Sequence, residues 1–111
     1  MSTKAPIQGI IEEMKRRIVE AVHPHQIILF GSHARGTAGP DSDVDLLVVM
    51  PTGDGKRKKA VQIYTLLAGM GLSKDIVIVT LDEIEKYRHT PGTIIYPALK
   101  EGKIIYERAA A

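Results

Sequence analysis

A small mixed β-sheet flanked by helices, an α/β (α+β) fold, is the class the sequence predicts. Three observations lead there. Three short apolar runs, "QIILF", "DVDLLVVM" and "DIVIVT", have the length and continuity of buried strands. Segments with helical spacing of apolar residues lie before, between and after them. The link between the first two runs is too short for an ordinary crossover helix, so those strands should be antiparallel neighbours in a mixed sheet.

The elements follow in order. Ile7, Ile10, Ile11, Met14, Ile18 and Val22 recur at helical spacing with Glu12, Glu13, Lys15, Arg16 and Arg17 between them, an amphipathic helix ending before Pro24. Gln26 to Phe30 is the first strand. Gly31 to Ser42 carries Gly, Ser, Thr and Pro and reads as a loop with room for one helical turn. Asp43 to Met50 is the second strand, and "PTGDG" breaks the chain after it. Lys56 to Met70 reads as a helix with Val61, Tyr64, Leu67 and Ala68 on its inner face, stopped by Gly69 and Gly71. Asp75 to Thr80 is the third strand. Leu81 to Tyr87 and Thr93 to Lys100 read as short helices, the start of the second blurred by Pro97. Gly102 ends it, and Lys103 to Tyr106 is a last strand.

With 111 residues and 44% apolar content, one domain spanning 1–111 with a true core is expected. Fifteen basic against 13 acidic residues leave a net charge of +2, too balanced to argue for direct nucleic-acid binding. The absence of cysteine excludes disulfides and thiolate zinc sites. No apolar run approaches the roughly 20 residues of a membrane span, and Met1 to Arg17 lacks the pattern of a signal peptide. A soluble, cytoplasmic protein is the expectation.

The chemistry concentrates in "LFGSHARGTAGPDSDVDLLVV", Leu29 to Val49. Strand side chains alternate, so Asp43 and Asp45 should share a face. Paired carboxylates in a half-buried place repel each other unless a cation sits between them. Hard oxygen ligands suit Mg²⁺, which shares its sites with substrate phosphates. Asp75 opens the third strand in the same way. If strands two and three are parallel neighbours, the three aspartates converge and can hold two Mg²⁺ about 4 Å apart for in-line phosphoryl displacement. Gly31 and Ser32 leave the first strand where an antiparallel neighbour would bring them beside Asp43. Glycine permits close backbone approach to a phosphate, and the Ser32 hydroxyl and loop N–H groups can bind its oxygens. Arg35, in the same loop, can neutralise triphosphate charge.

Two look-alikes fail. Gly31-x4-Gly36-Thr37 lacks the lysine of a phosphate loop. Asp41, Asp43 and Asp45 begin like a calcium loop, but Leu46 and Thr52 stand where Gly and Glu are needed. His23, His25, His33 and His89 show no metal-ligand spacing. The run Lys56 to Lys59 reads as a solvated helix start, its functional alternative being contact with a partner or nucleotide. Tyr64, Tyr87, Tyr96 and Tyr106 are expected to pack with their hydroxyls at the surface, self-AMPylation on one of them being an alternative that no sequence feature supports.

"GS", ten residues, then "DVD", with a later aspartate opening a strand, resembles the signature of the DNA polymerase β-like nucleotidyltransferases. The form "FGSHARGTAGPDSDVDLLVV" looks like their minimal nucleotidyltransferase group, and the likeness extends loosely to Asp75 and "LKEGKIIYE". The resemblance implies that Gly31 and Ser32 hold the triphosphate of ATP. It implies that Asp43 and Asp45 ligate both Mg²⁺ ions, and that Asp75 ligates the catalytic metal and helps activate the incoming hydroxyl. It further implies a partner, a HEPN-domain toxin, that receives AMP on a tyrosine from this chain as its antitoxin. Two alternatives stay open: a non-catalytic antitoxin acting by complex formation, and a small-molecule adenylyltransferase.

Overall fold

Leu46, Leu47, Val48 and Val49 are all buried, which a strand achieves when both faces of its sheet are covered. The computed structural model describes residues 7–53 and 55–109. Its elements run α1 (Ile7–Val22), β1 (Gln26–Phe30), α2 (Ser32–Arg35), β2 (Val44–Val49), α3 (Lys56–Leu66), β3 (Lys74–Val79), α4 (Leu81–Tyr87), α5 (Ile95–Glu101) and β4 (Lys103–Glu107). Four strands form one sheet in the order β3-β2-β1-β4. β1 is antiparallel to both β2 and β4, while β2 and β3 are parallel. Asp54, within the expected break, lies outside the described residues, as do the first six and last two positions.

The alternation of side chains along the strands divides the interior into two cores. Val44, Leu46 and Val48 of β2, with Ile27 and Leu29 of β1, pack against Ile11, Met14 and Ile18 of α1 and Ile63 of α3. Leu47 and Val49, with Ile28 and Phe30, pack against Ile84 of α4 and Ile95 and Ala98 of α5. The sheet is therefore a middle layer between two helical layers. Among the described residues, no helix is long and apolar enough to cross a membrane.

Three expectations about the elements are corrected. α3 ends at Leu66, four residues early, because Gly69 and Gly71 take positive φ and the chain is already turning. Its inner face is Ile63, with Leu67 just beyond. Val61 is 58% exposed, Ala68 lies outside, and Tyr64 leans over the sheet edge. Asp43 precedes β2 instead of opening it, while Asp75 is the second residue of β3.

Local signals hold the ends together. Thr80 caps α4: its Oγ1 accepts from the Glu83 N–H at 3.2 Å, and Glu83 Oε1 accepts from the Thr80 N–H at 3.0 Å. Gly102 joins α5 to β4 against β1. A side chain there would press on Ile28 and on the carbonyls of Ala98 and Leu29.

Candidate active site

The ends of three strands make the site: the close of β1 and the starts of β2 and β3. In register, Phe30 pairs with Asp45, and Asp45 pairs with Asp75 across the parallel β2–β3 ladder. The two carboxylates therefore leave neighbouring strands side by side on one face, with strands about 4.8 Å apart. Odd-numbered β2 residues face α4 and α5, so the carboxylates stand at the open end of that core.

Asp45 is half-buried, whereas Asp43 and Asp75 are exposed. Burial first, then the charges of Asp75 and Asp43, push the Asp45 carboxyl above its ordinary value of 3.8, and His33 and Arg35 pull the other way. These acids repel one another where they stand, so a cation would be welcomed. Among the described residues, no three His, Cys, Asp or Glu side chains form a metal cage by themselves. An open, all-oxygen donor set of this kind fits Mg²⁺, which keeps waters and completes its shell with substrate oxygens.

Gly31 sits between β1 and α2 at φ 73°, a left-handed conformation that favours glycine. A Cβ built on it would collide with the Asp45 carboxylate. Its neighbour is thus Asp45, not Asp43 as expected, because the β1–β2 register sets Phe30 opposite Asp45. The Gly31 carbonyl accepts from the Ala34 and Arg35 N–H groups, both at 3.1 Å, which starts the α2 turn. No side chain caps that turn, so its first N–H groups are free to meet an anion. Ser32 is half-buried at the same point.

Arg35 turns toward α5, its Nη1 lying 3.5 Å from Glu101 Oε2. Both side chains are about half exposed, so this pair is weak and easily exchanged for a phosphate. The loop to β2 is shaped locally: Ser42 Oγ accepts from the Gly39 N–H at 2.9 Å, and His33 Nε2 lies 3.3 Å from the Ser42 carbonyl.

The sequence put the Tyr64 hydroxyl at the surface, whereas the structure ties it to the β3 edge. From α3 its hydroxyl accepts from the Ile76 N–H at 2.9 Å and lies 3.4 Å from Asp75 Oδ1. The tyrosine closes the free edge of β3 beside a carboxylate of the site. Glu101 was missed; its pairing with Arg35 spans 66 positions, and no local pattern marks it.

A four-stranded mixed sheet thus sets a glycine–serine turn against Asp45, with Asp75 in register beside it. The family model described as "Nucleotidyltransferase domain" matches residues 7–105, so the chain belongs to the nucleotidyltransferase domain family and is a nucleotidyltransferase. A protein of Methanocaldococcus jannaschii, named provisionally as a protein adenylyltransferase, is 37% identical over 90 residues, covering 70% of this chain and 91% of the relative. Among solved structures, one described provisionally as a minimal nucleotidyltransferase shares the fold with a TM-score of 0.61 at 23% identity, over 92% of this chain and 98% of that one. A toxin–antitoxin structure with AMP-PNP matches with a TM-score of 0.53 at 18% identity, over 91% and 73% of the two chains.

Proposed function

We propose that this chain transfers AMP from ATP to a hydroxyl, a tyrosine in the first instance, on a partner HEPN-domain toxin, and so acts as its antitoxin. The observation that carries the reading is the register pairing of Asp45 with Asp75, with Gly31 packed on Asp45. Carboxylates beside a backbone that tolerates no side chain suit a triphosphate and its metal. The provisional naming of the Methanocaldococcus relative supports transfer to protein. The toxin–antitoxin structure with a nucleotide analogue supports the partner.

In this reading Gly31 and Ser32 cradle the triphosphate tail. Arg35 leaves Glu101 to neutralise phosphate charge. Asp43, Asp45 and Asp75 hold two Mg²⁺, which when bound supply charge neutralisation of the α-phosphate and the departing pyrophosphate. Asp75, the carboxylate nearest the exposed edge of the sheet, orients the incoming hydroxyl and accepts its proton. Positioning and electrostatics carry most of the rate. Residues 1–111 act as one catalytic domain in the cytoplasm, and the acceptor is held by the partner.

Co-expression with the product of a neighbouring HEPN-type gene tests this. Intact-mass spectrometry should find the partner heavier by whole AMP units with the wild type and unmodified with Asp45→Ala. A silenced but unmodified partner in both cases would instead establish inhibition by binding, and modification of a small molecule alone would establish the third reading.

A further inference from the structure

The layout of the site runs in one direction across the sheet. The Gly31–Ser32 turn follows β1, Asp45 stands on β2, Asp75 on β3, and Tyr64 lies at the outer edge of β3. In-line transfer needs the leaving group and the attacking oxygen on opposite sides of the α-phosphorus. If the pyrophosphate departs over Gly31 and Ser32, the attacking oxygen must come from the β3 side. A hydroxyl already stands there.

Tyr64 reaches that point from α3 with 38% of its surface exposed. Its oxygen accepts the Ile76 N–H at 2.9 Å and donates toward Asp75 Oδ1 at 3.4 Å. A phenol has one proton and two lone pairs. The proton faces a carboxylate, one lone pair is held by the backbone, and the other remains for attack. Nucleophile and base within hydrogen-bond reach, slightly long before substrate arrives, is the arrangement expected of an activated acceptor.

We infer that Tyr64 is itself an acceptor of AMP, so that the chain modifies its own β3 edge when no partner hydroxyl is present. This inference rests on the adenylyltransferase reading above. In the step, the bond from Tyr64 Oη to the α-phosphorus forms and the bond from the α-phosphorus to the α–β bridging oxygen breaks. Pyrophosphate leaves with that electron pair, and the phenolic proton passes to Asp75 and on to water. AMP on Tyr64 would then fill the edge by which a partner's tyrosine must approach, making the modified chain self-inhibited.

The test is incubation of the purified chain with ATP and Mg²⁺, without partner, followed by intact-mass measurement and peptide mapping. One AMP on Tyr64 is expected, lost in Tyr64→Phe and in Asp45→Ala. An unmodified chain, or AMP on another residue that persists in Tyr64→Phe, overturns the inference. Calorimetric titration of the same wild-type preparation with Mg-ATP, and the partner's mass on co-expression, separate the two levels. Nucleotide binding and a modified partner with a bare Tyr64 refute self-modification alone. Neither binding nor a modified partner refutes the parent reading too.

Discussion

A carboxylate at Asp45 costs the folded chain stability for as long as no cation answers it. Burial disfavours its charge, and Asp75 and Asp43 repel it. Asp45→Asn keeps the shape and removes the charge. In the presence of a chelator its melting temperature should rise above that of the wild type, while the stabilisation given by Mg-ATP should vanish. An Asn variant that melts lower than the wild type without metal would show that Asp45 serves the fold. Gly31 stands under a second local constraint, because its positive φ and the adjoining carboxylate both oppose a side chain. Gly31→Ala should abolish Mg-ATP binding and lower stability by about 1–3 kcal/mol. Undiminished calorimetric binding by that variant would remove the turn from the nucleotide site.

At the scale of elements, α4 is tied down by Thr80 and Glu83, and Glu83 also pairs with Lys56 at the start of α3. The Lys56 ammonium and the Thr80 hydrogen bonds hold the Glu83 carboxyl below its ordinary value of 4.5. A carboxyl whose folded value is depressed stabilises the fold above its unfolded value, and loses that contribution as pH falls through the folded one. Glu83→Gln should therefore lower stability at neutral pH by the contribution it removes and flatten the further loss on acidification below about pH 4.5, so that the two proteins converge in acid. Denaturant midpoints across that range decide it, and an unaltered acid slope would mean that the pairing contributes nothing. The cap was legible beforehand only as a helix start at Leu81, whereas α1 and β1 could be bounded from periodicity and Pro24 alone. α3 could not. Its sequence offers Val61, Tyr64, Leu67 and Ala68 as the inner face, and packing against β3 keeps only Leu67 of these in the core and adds Ile63.

At the scale of the whole molecule, β2 is the member on which both cores and the site depend. Leu47 is fully buried under α4 and α5, two residues from Asp45. Leu47→Ala should cost about 2–5 kcal/mol, and Mg-ATP at a hundred times its dissociation constant should restore about 2.7 kcal/mol. Thermal melts with and without nucleotide read both quantities; a variant as stable as the wild type would deny β2 its central place. The motif from Gly31 to Asp45 was visible in the sequence because one hairpin carries it. The contacts of Tyr64 and Glu101 were not, since Tyr64 reaches Ile76 and Asp75 only once α3 has docked on β3, and Glu101 meets Arg35 across 66 positions.

The parallel register of β2 and β3 carries one more consequence. A slip of one residue would send Asp75 to the α1–α3 face and Ile76 to the open end beside Asp45, exposing a whole row of apolar side chains. The hydrophobic interior thus proofreads the catalytic geometry. Any pairing that misplaces the acid also unmakes the core, so a chain that has folded at all has its aspartates aligned.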